Sequence, residues 1–97
     1  MAEKLKSAPN VFVNCPFDDG YKAQFRATVF TIMRCGCVPR CALEIVDSAQ
    51  TRISKIQSII AECRLGVHDI SRTELNQNGL PRFNMPFELG LFLGAKR

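Results

Sequence analysis

The sequence predicts an α/β module built on a parallel sheet, and three observations carry that expectation. Short runs rich in Val, Ile and Phe alternate with segments whose apolar residues recur at helical spacing. Polar or glycine-containing turns separate the runs, and the last apolar segment again has a helical character. The chain has 97 residues, 46% hydrophobic and 23% charged, which suits one small core rather than two.

The elements follow in order. Residues 1–9 form a polar lead, expected to be flexible, and residues 10–97 form the domain. Asn10 to Asn14 barely alternates and is rich in Val and Phe, as in a strand covered on both faces. Pro16, Asp18, Asp19 and Gly20 break it, with Asp19 or Gly20 expected to cap the next helix. Tyr21, Phe25, Val29, Ile32 and Met33 then share a helical face, and Gly36 can stop that helix. A second strand is expected within Val38 to Val46, with Pro39 tolerated near its beginning. Ile53, Ile56, Ile59, Ile60 and Cys63 mark a second helix, and Leu65 to Ile70 a third strand. Residues 72–84 read as a long surface loop containing Asn78-Gly79 and Pro81. Pro86 suits the first turn of a final helix that runs on through Leu89 and Phe92. The order β-α-β-α-β makes right-handed parallel units, the open, three-layer arrangement of flavodoxin-like folds. No strand follows the last helix. The sheet is therefore expected to be incomplete, as in an N-terminal part of a larger domain, or to be completed by self-association at its open edge.

Composition and motifs exclude several classes. No apolar run approaches the roughly 20 residues of a membrane span, and the first residues lack a secretory h-region, so a cytoplasmic protein is expected. The net charge of +4 comes from scattered basic residues, without the stripe that grips nucleic acid. Five cysteines are an odd number, and several lie among core-like residues, as small buried hydrophobes rather than a disulfide scaffold. Cys35, Cys37 and Cys41 lack paired metal-binding spacing, so no metal is expected. Neither glycine-rich phosphate fingerprint is present, and no cofactor is called for.

Candidate chemistry gathers beyond the carboxyl ends of the strands, where open parallel sheets bind ligands. The residues delivered there are Asn14, Cys15, Phe17 and Asp18 after the first strand, Asp47 and Arg52 after the second, Asp69 and Ser71 after the third, and Asn84 and Met85 before Glu88. Glu88 stands out as a carboxylate expected in the first turn of an apolar helix, close to free amides. It suits a nucleophile or a stabiliser of positive charge, and equally an ordinary helix-start acid. Asp69 can orient a ribose hydroxyl or cap Ser71 and Arg72. Asn14 can bind a ligand or its own loop, and Asp18 a ligand or the helix start. Arg40 and Arg52 are phosphate contacts or solvated surface residues. Phe17 and Tyr21 can stack on a base or pack in the core. Met85 can line a pocket, and His68, the only histidine, is expected in the core or half buried rather than as a base.

Several of these segments resemble the TIR-like and nucleoside 2-deoxyribosyltransferase-like group. Val11-Phe12-Val13-Asn14 and its acidic loop resemble the opening of TIR domains, and Asp47-Ser48-Ala49-Gln50 resembles their second loop. Residues 59–64 running into Val67-His68-Asp69-Ile70-Ser71 resemble the helix-to-strand passage of both families. Asn84-Met85-Pro86-Phe87-Glu88-Leu89-Gly90 is similar to the segment with the catalytic glutamate of NAD-cleaving TIR domains and of the deoxyribosyltransferases. The resemblance implies a TIR-like fold and cleavage of an N-glycosidic bond in NAD or a related nucleoside or nucleotide, in a prokaryotic stress or immune setting. It casts Glu88 as the key carboxylate, places a base near Phe17, and brings phosphates to loop amides and Arg52. Asn14-Cys15-Pro16 departs from the glycine-rich loop often seen in deoxyribosyltransferases, because Pro16 donates no N–H. A nucleotide-sensing or protein-binding module without chemistry is the alternative.

Overall fold

The computed structural model describes residues 8–44, 52–71 and 84–96. Strand β1 (Asn10–Asn14), helix α1 (Lys22–Arg34), strand β2 (Val38–Cys41), helix α2 (Arg52–Ala61), strand β3 (Leu65–His68) and helix α3 (Asn84–Ala95) succeed one another. Single 3-10 turns occupy Asp19–Tyr21 and Ala42–Glu44. The three strands form one parallel sheet in the order β2-β1-β3. Val11 lies between Pro39 and Leu65 in register, and Val13 between Cys41 and Val67.

This order dictates where the helices go. From β1 to β2 the chain steps one way across the sheet, and from β2 to β3 it steps back past β1. Keeping one crossover hand while reversing direction sends the two crossover helices to opposite faces. Val11, Val13 and Cys15 accordingly pack against Ile32 and Phe25 of α1. Phe12, on the other face, packs with Ile56, Ile59, Ile60 and Cys63 around α2 and with Phe92 of α3. Central β1 is thus covered on both sides, which explains its unbroken apolar run, and Phe12 is 0% exposed. The rings of Phe12 and Phe92 stack with centroids 6.2 Å apart. Lys96 ties the end of α3 to α2 by donating to the carbonyl of Ile60 at 2.9 Å.

The termini of the elements have local causes, some unlike those expected. Neither Asp19 nor Gly20 caps α1: Asp18 caps the 3-10 turn, its carboxylate accepting the Tyr21 N–H at 3.1 Å, and α1 begins only after that turn, with Tyr21 in its cap position. Gly36 ends α1 as expected. Its φ of +77° is open to glycine at little cost, and it lets the Cys37 and Gly36 amides bond back to Ile32 and Met33. β2 stops at Cys41, short of Val46, because the Glu44 carboxylate captures the Cys41 N–H at 2.8 Å and turns the chain. Residues 45 and 46 lie outside the described part. β3 ends at His68, short of Ile70, where the Asp69 side chain bonds forward to Ser71. Met33 and Ile53, placed by spacing on buried faces, are exposed. β3 is open on the α1 face, with Leu65 48% and Val67 43% exposed, because α1 covers only β1 and β2. Among the described residues no helix is long and apolar enough to cross a membrane.

Phe12→Ala is expected to lower the unfolding free energy by roughly 3–5 kcal/mol. Val67→Ala, on the open face, should change it by less than about 1 kcal/mol. Urea denaturation followed by circular dichroism checks both.

Candidate functional site

Strand order reverses between β1 and β3, and ligands of open parallel sheets sit outside the carboxyl ends at such a reversal. The last residues of these strands, Asn14 and His68, are register partners. Asn14 is 1% exposed, and its side-chain nitrogen reaches two elements at once. It donates to the Met85 carbonyl at 2.8 Å and lies 2.9 Å from Nδ1 of His68. The nitrogen of Asn14 is therefore spent on β3 and α3 rather than on its own loop. It fastens the first turn of α3 to the end of β1.

The same contact sets the state of His68. An amide nitrogen can only donate, so Nδ1 must present its lone pair, and the ring proton belongs on Nε2 by the logic of the network. Burial lowers the His68 pKa, which keeps the ring neutral. The ring lies back over Gly66, where a Cβ would come within 2.6 Å of Nε2 and 3.0 Å of Phe92, so glycine makes the space for it. Nε2, and Oδ1 of Asn14, are buried without a hydrogen-bond partner among the described residues.

Glu88 is the fifth residue of α3 rather than part of its first turn. It lies past the free amides, and the expected support from the helix N-terminus falls instead to residues 84–87. Met85, which accepts from Asn14, is one turn before it, and Phe92, which packs on Phe12 and His68, is one turn after it. That spacing turns Glu88 toward the sheet, and it is 5% exposed. Its carboxylate also acts on Cys15. Burial, then Cys41, Asp69 and Glu88, push the Cys15 thiol up to about 12, so Cys15 is a neutral filler beside two carboxylates and not a nucleophile.

Asp69 has both carboxylate oxygens engaged. The Tyr21 hydroxyl donates to Oδ2, while the Ser71 amide at 2.9 Å and its hydroxyl at 2.6 Å donate to Oδ1. Asp69 thus joins the end of β3 to the entrance of α1, and Ser71 serves that turn. Tyr21 packs beside Phe25 on the α1 face, so its ring is core and its hydroxyl is a tether.

Phe17 and Asp18 occupy a different opening. With Asp19, Lys22, Arg26 and Leu43 they line a cleft of about 320 Å³, on the β2 side of α1. The Phe17 ring meets Phe25 edge to face at 5.5 Å, and Glu88 is not among the residues of this cleft. A second groove, about 340 Å³, follows the α2–α3 seam along Gly90, Gly94 and Ala95, away from the strand ends. Arg40 does not reach the crevice. Its guanidinium bonds Glu44 at 2.8 Å and Glu62 at 2.7 Å, and Glu62 follows the last residue of α2, where Asn10 also bonds the Glu62 carbonyl. Asp47 lies outside the described residues, as do the Arg52 and Asn84 side chains, although both of these residues begin helices.

Sequence reasoning thus placed Asn14, Cys15, Asp69, Met85 and Glu88 at one end of the sheet, where the structure groups them. It missed His68 as the partner of Asn14 and Tyr21 as the partner of Asp69. One signal was available for each: a histidine ending a strand beside an asparagine ending its neighbour, and a tyrosine after an acidic turn. No family model, curated protein or solved structure matches this chain significantly.

A pH dependence of stability follows from His68. The unfolded ring titrates near its ordinary value of about 6.5, while the folded ring takes up its proton only at lower pH. Between the two values the unfolded chain holds more protons, so stability rises with pH. The contribution is complete above about pH 6.5 and is lost as pH falls through the folded value. Urea midpoints for the wild type and His68→Asn between pH 5 and 7.5 should show the wild type losing more stability on acidification.

Proposed function

We propose that this chain carries the carboxylate of an enzyme that cleaves the N-glycosidic bond of NAD or a related nucleotide or nucleoside, on a flavodoxin-like, TIR-like fold. The strand order β2-β1-β3 and the three layers are compatible with that fold. The observation that carries the reading is the hydrogen bond from Asn14 to the Met85 carbonyl, which holds the start of α3 against the strand ends and brings Glu88 to the reversal point between β1 and β3.

The chemistry fits a site rich in negative charge. As the bond between the ribosyl anomeric carbon and a nicotinamide ring breaks, its electron pair goes to the ring, which leaves neutral and needs no proton donor. Positive charge grows on the sugar, and a carboxylate stabilises it or attacks it covalently. Water then adds to the sugar, releasing ADP-ribose and a proton. Glu88 fills the carboxylate's role, and Asp69, held by Tyr21 and Ser71, adds negative charge at a fixed place. The ring of Phe17 offers apolar surface to a base in the neighbouring cleft.

A second reading, a nucleotide-sensing or protein-binding module without chemistry, draws on two observations. Glu88 is buried, and the described cleft at Phe17 is lined without it. The two readings part at one substitution. Glu88→Gln should reduce nicotinamide release from NAD by at least about a hundredfold with an unchanged circular dichroism spectrum. NAD binding by calorimetry that persists in both proteins, with no turnover by either, would instead establish the module.

A further inference from the structure

We propose that His68 is a positioning residue for Glu88: through the side-chain amide of Asn14 it sets the first turn of α3. This rests on the reading of Glu88 as the reacting carboxylate. One nitrogen of Asn14 meets two acceptors, Nδ1 of His68 and the carbonyl of Met85, and the two contacts specify the same amide orientation. An amide turned the other way would set its oxygen against the Met85 carbonyl oxygen, at the 2.8 Å now occupied by a hydrogen bond. The bare Nδ1 of His68 adds to that preference as a second acceptor for the same nitrogen.

Protonation of the ring reverses this preference. An Nδ1–H facing an NH₂ group has no acceptor, and turning the Asn14 amide to supply one withdraws the donor from Met85. Among the described residues the charged ring finds no relief on its other side, where Nε2 lies against Gly66 and Phe92 without a partner. Two described ionisable groups of neighbouring elements, Asp69 and Lys96, are otherwise occupied. Asp69, next in sequence, bonds Tyr21 and Ser71. Lys96 of α3 sits over the far ring, Phe92, 5.4 Å from its centroid, and bonds Ile60. Cys15 follows Asn14 as a neutral thiol beside Glu88 and Asp69, and Cys63, after α2, is buried with its thiol pKa raised by burial. Acid therefore exchanges the first-turn anchor of α3 for a bond to His68, which loosens the turn that precedes Glu88.

Hydrogen exchange of residues 88–91, referenced to residues 56–60 of α2 in the same sample, tests this without needing catalysis. His68→Phe keeps a ring but no acceptor, and should speed exchange at the start of α3 roughly five- to tenfold at neutral pH, the scale of one lost hydrogen bond. His68→Asn keeps an acceptor near the Nδ1 position that cannot titrate. It should retain the protection and abolish its loss between pH 7.5 and 5 seen in the wild type. In nicotinamide release from NAD, His68→Phe should lower kcat more than it raises KM, and His68→Asn should remove the acid limb of the kcat profile. Wild-type exchange rates in a folded His68→Phe, or an acid loss of protection undiminished in His68→Asn, would overturn the proposal. Absence of turnover in every variant, with the exchange pattern as described, would instead sink the glycosidase reading and leave the Asn14–His68 linkage intact.

Discussion

The hydrogen bonds made by one buried amide, that of Asn14, decide how this chain's parts relate. Among the described strands β1 alone has neighbours on both sides, and Asn14 is where it stops. A polar side chain left there without partners would cost about 1–3 kcal/mol. Instead its nitrogen joins β3 through His68 and α3 through Met85. Phe92 and Leu91 pack α3 on the core and Lys96 ties its far end to α2, but none of these contacts fixes its first turn. A directed hydrogen bond does so, at the end nearest the strand termini, where a binding site on this kind of sheet belongs.

The two faces of the sheet divide the remaining work. On the α2–α3 face, Phe12, Ile56, Ile60, Cys63 and Phe92 supply most of the apolar core. On the α1 face the packing is lighter and ends in a polar tether, Tyr21 to Asp69 to Ser71. Both faces therefore close at the carboxyl ends with polar contacts that reach across from another element. The carboxyl groups of Asp69 and Glu88 come together there, with a thiol too basic to ionise as their neighbour.

Much of this was legible beforehand, and the reasons are specific. β1 was readable because a strand covered on both faces must be apolar without alternation, and Val11 to Val13 is. α1 and α2 were readable from their spacing, and the end of α1 from Gly36. What misled was competition by polar side chains. Asp18 and Glu44 bond nearby backbone amides, and Asp69 reaches forward to Ser71, which moves caps and strand ends by a few residues in ways that periodicity does not register. Arg40 was ambiguous for a similar reason: its partners, Glu44 and Glu62, are 4 and 22 residues away, and only the fold brings the second one near. The site was legible as a place rather than as a set of contacts. Topology delivers Asn14, Asp69 and Glu88 to one end of the sheet, but nothing in the sequence says that Asn14 faces Met85 or that a histidine sets its orientation.

The most direct test of the account is a nuclear Overhauser measurement on the Asn14 side-chain amide of the 97-residue chain at neutral pH. Two slowly exchanging protons with cross-peaks to Met85 Hα and the His68 ring are the predicted result. An Asn14 amide that exchanges rapidly with water and shows neither contact would contradict it, because the first turn of α3 would then lack its directed hydrogen bond to the end of β1.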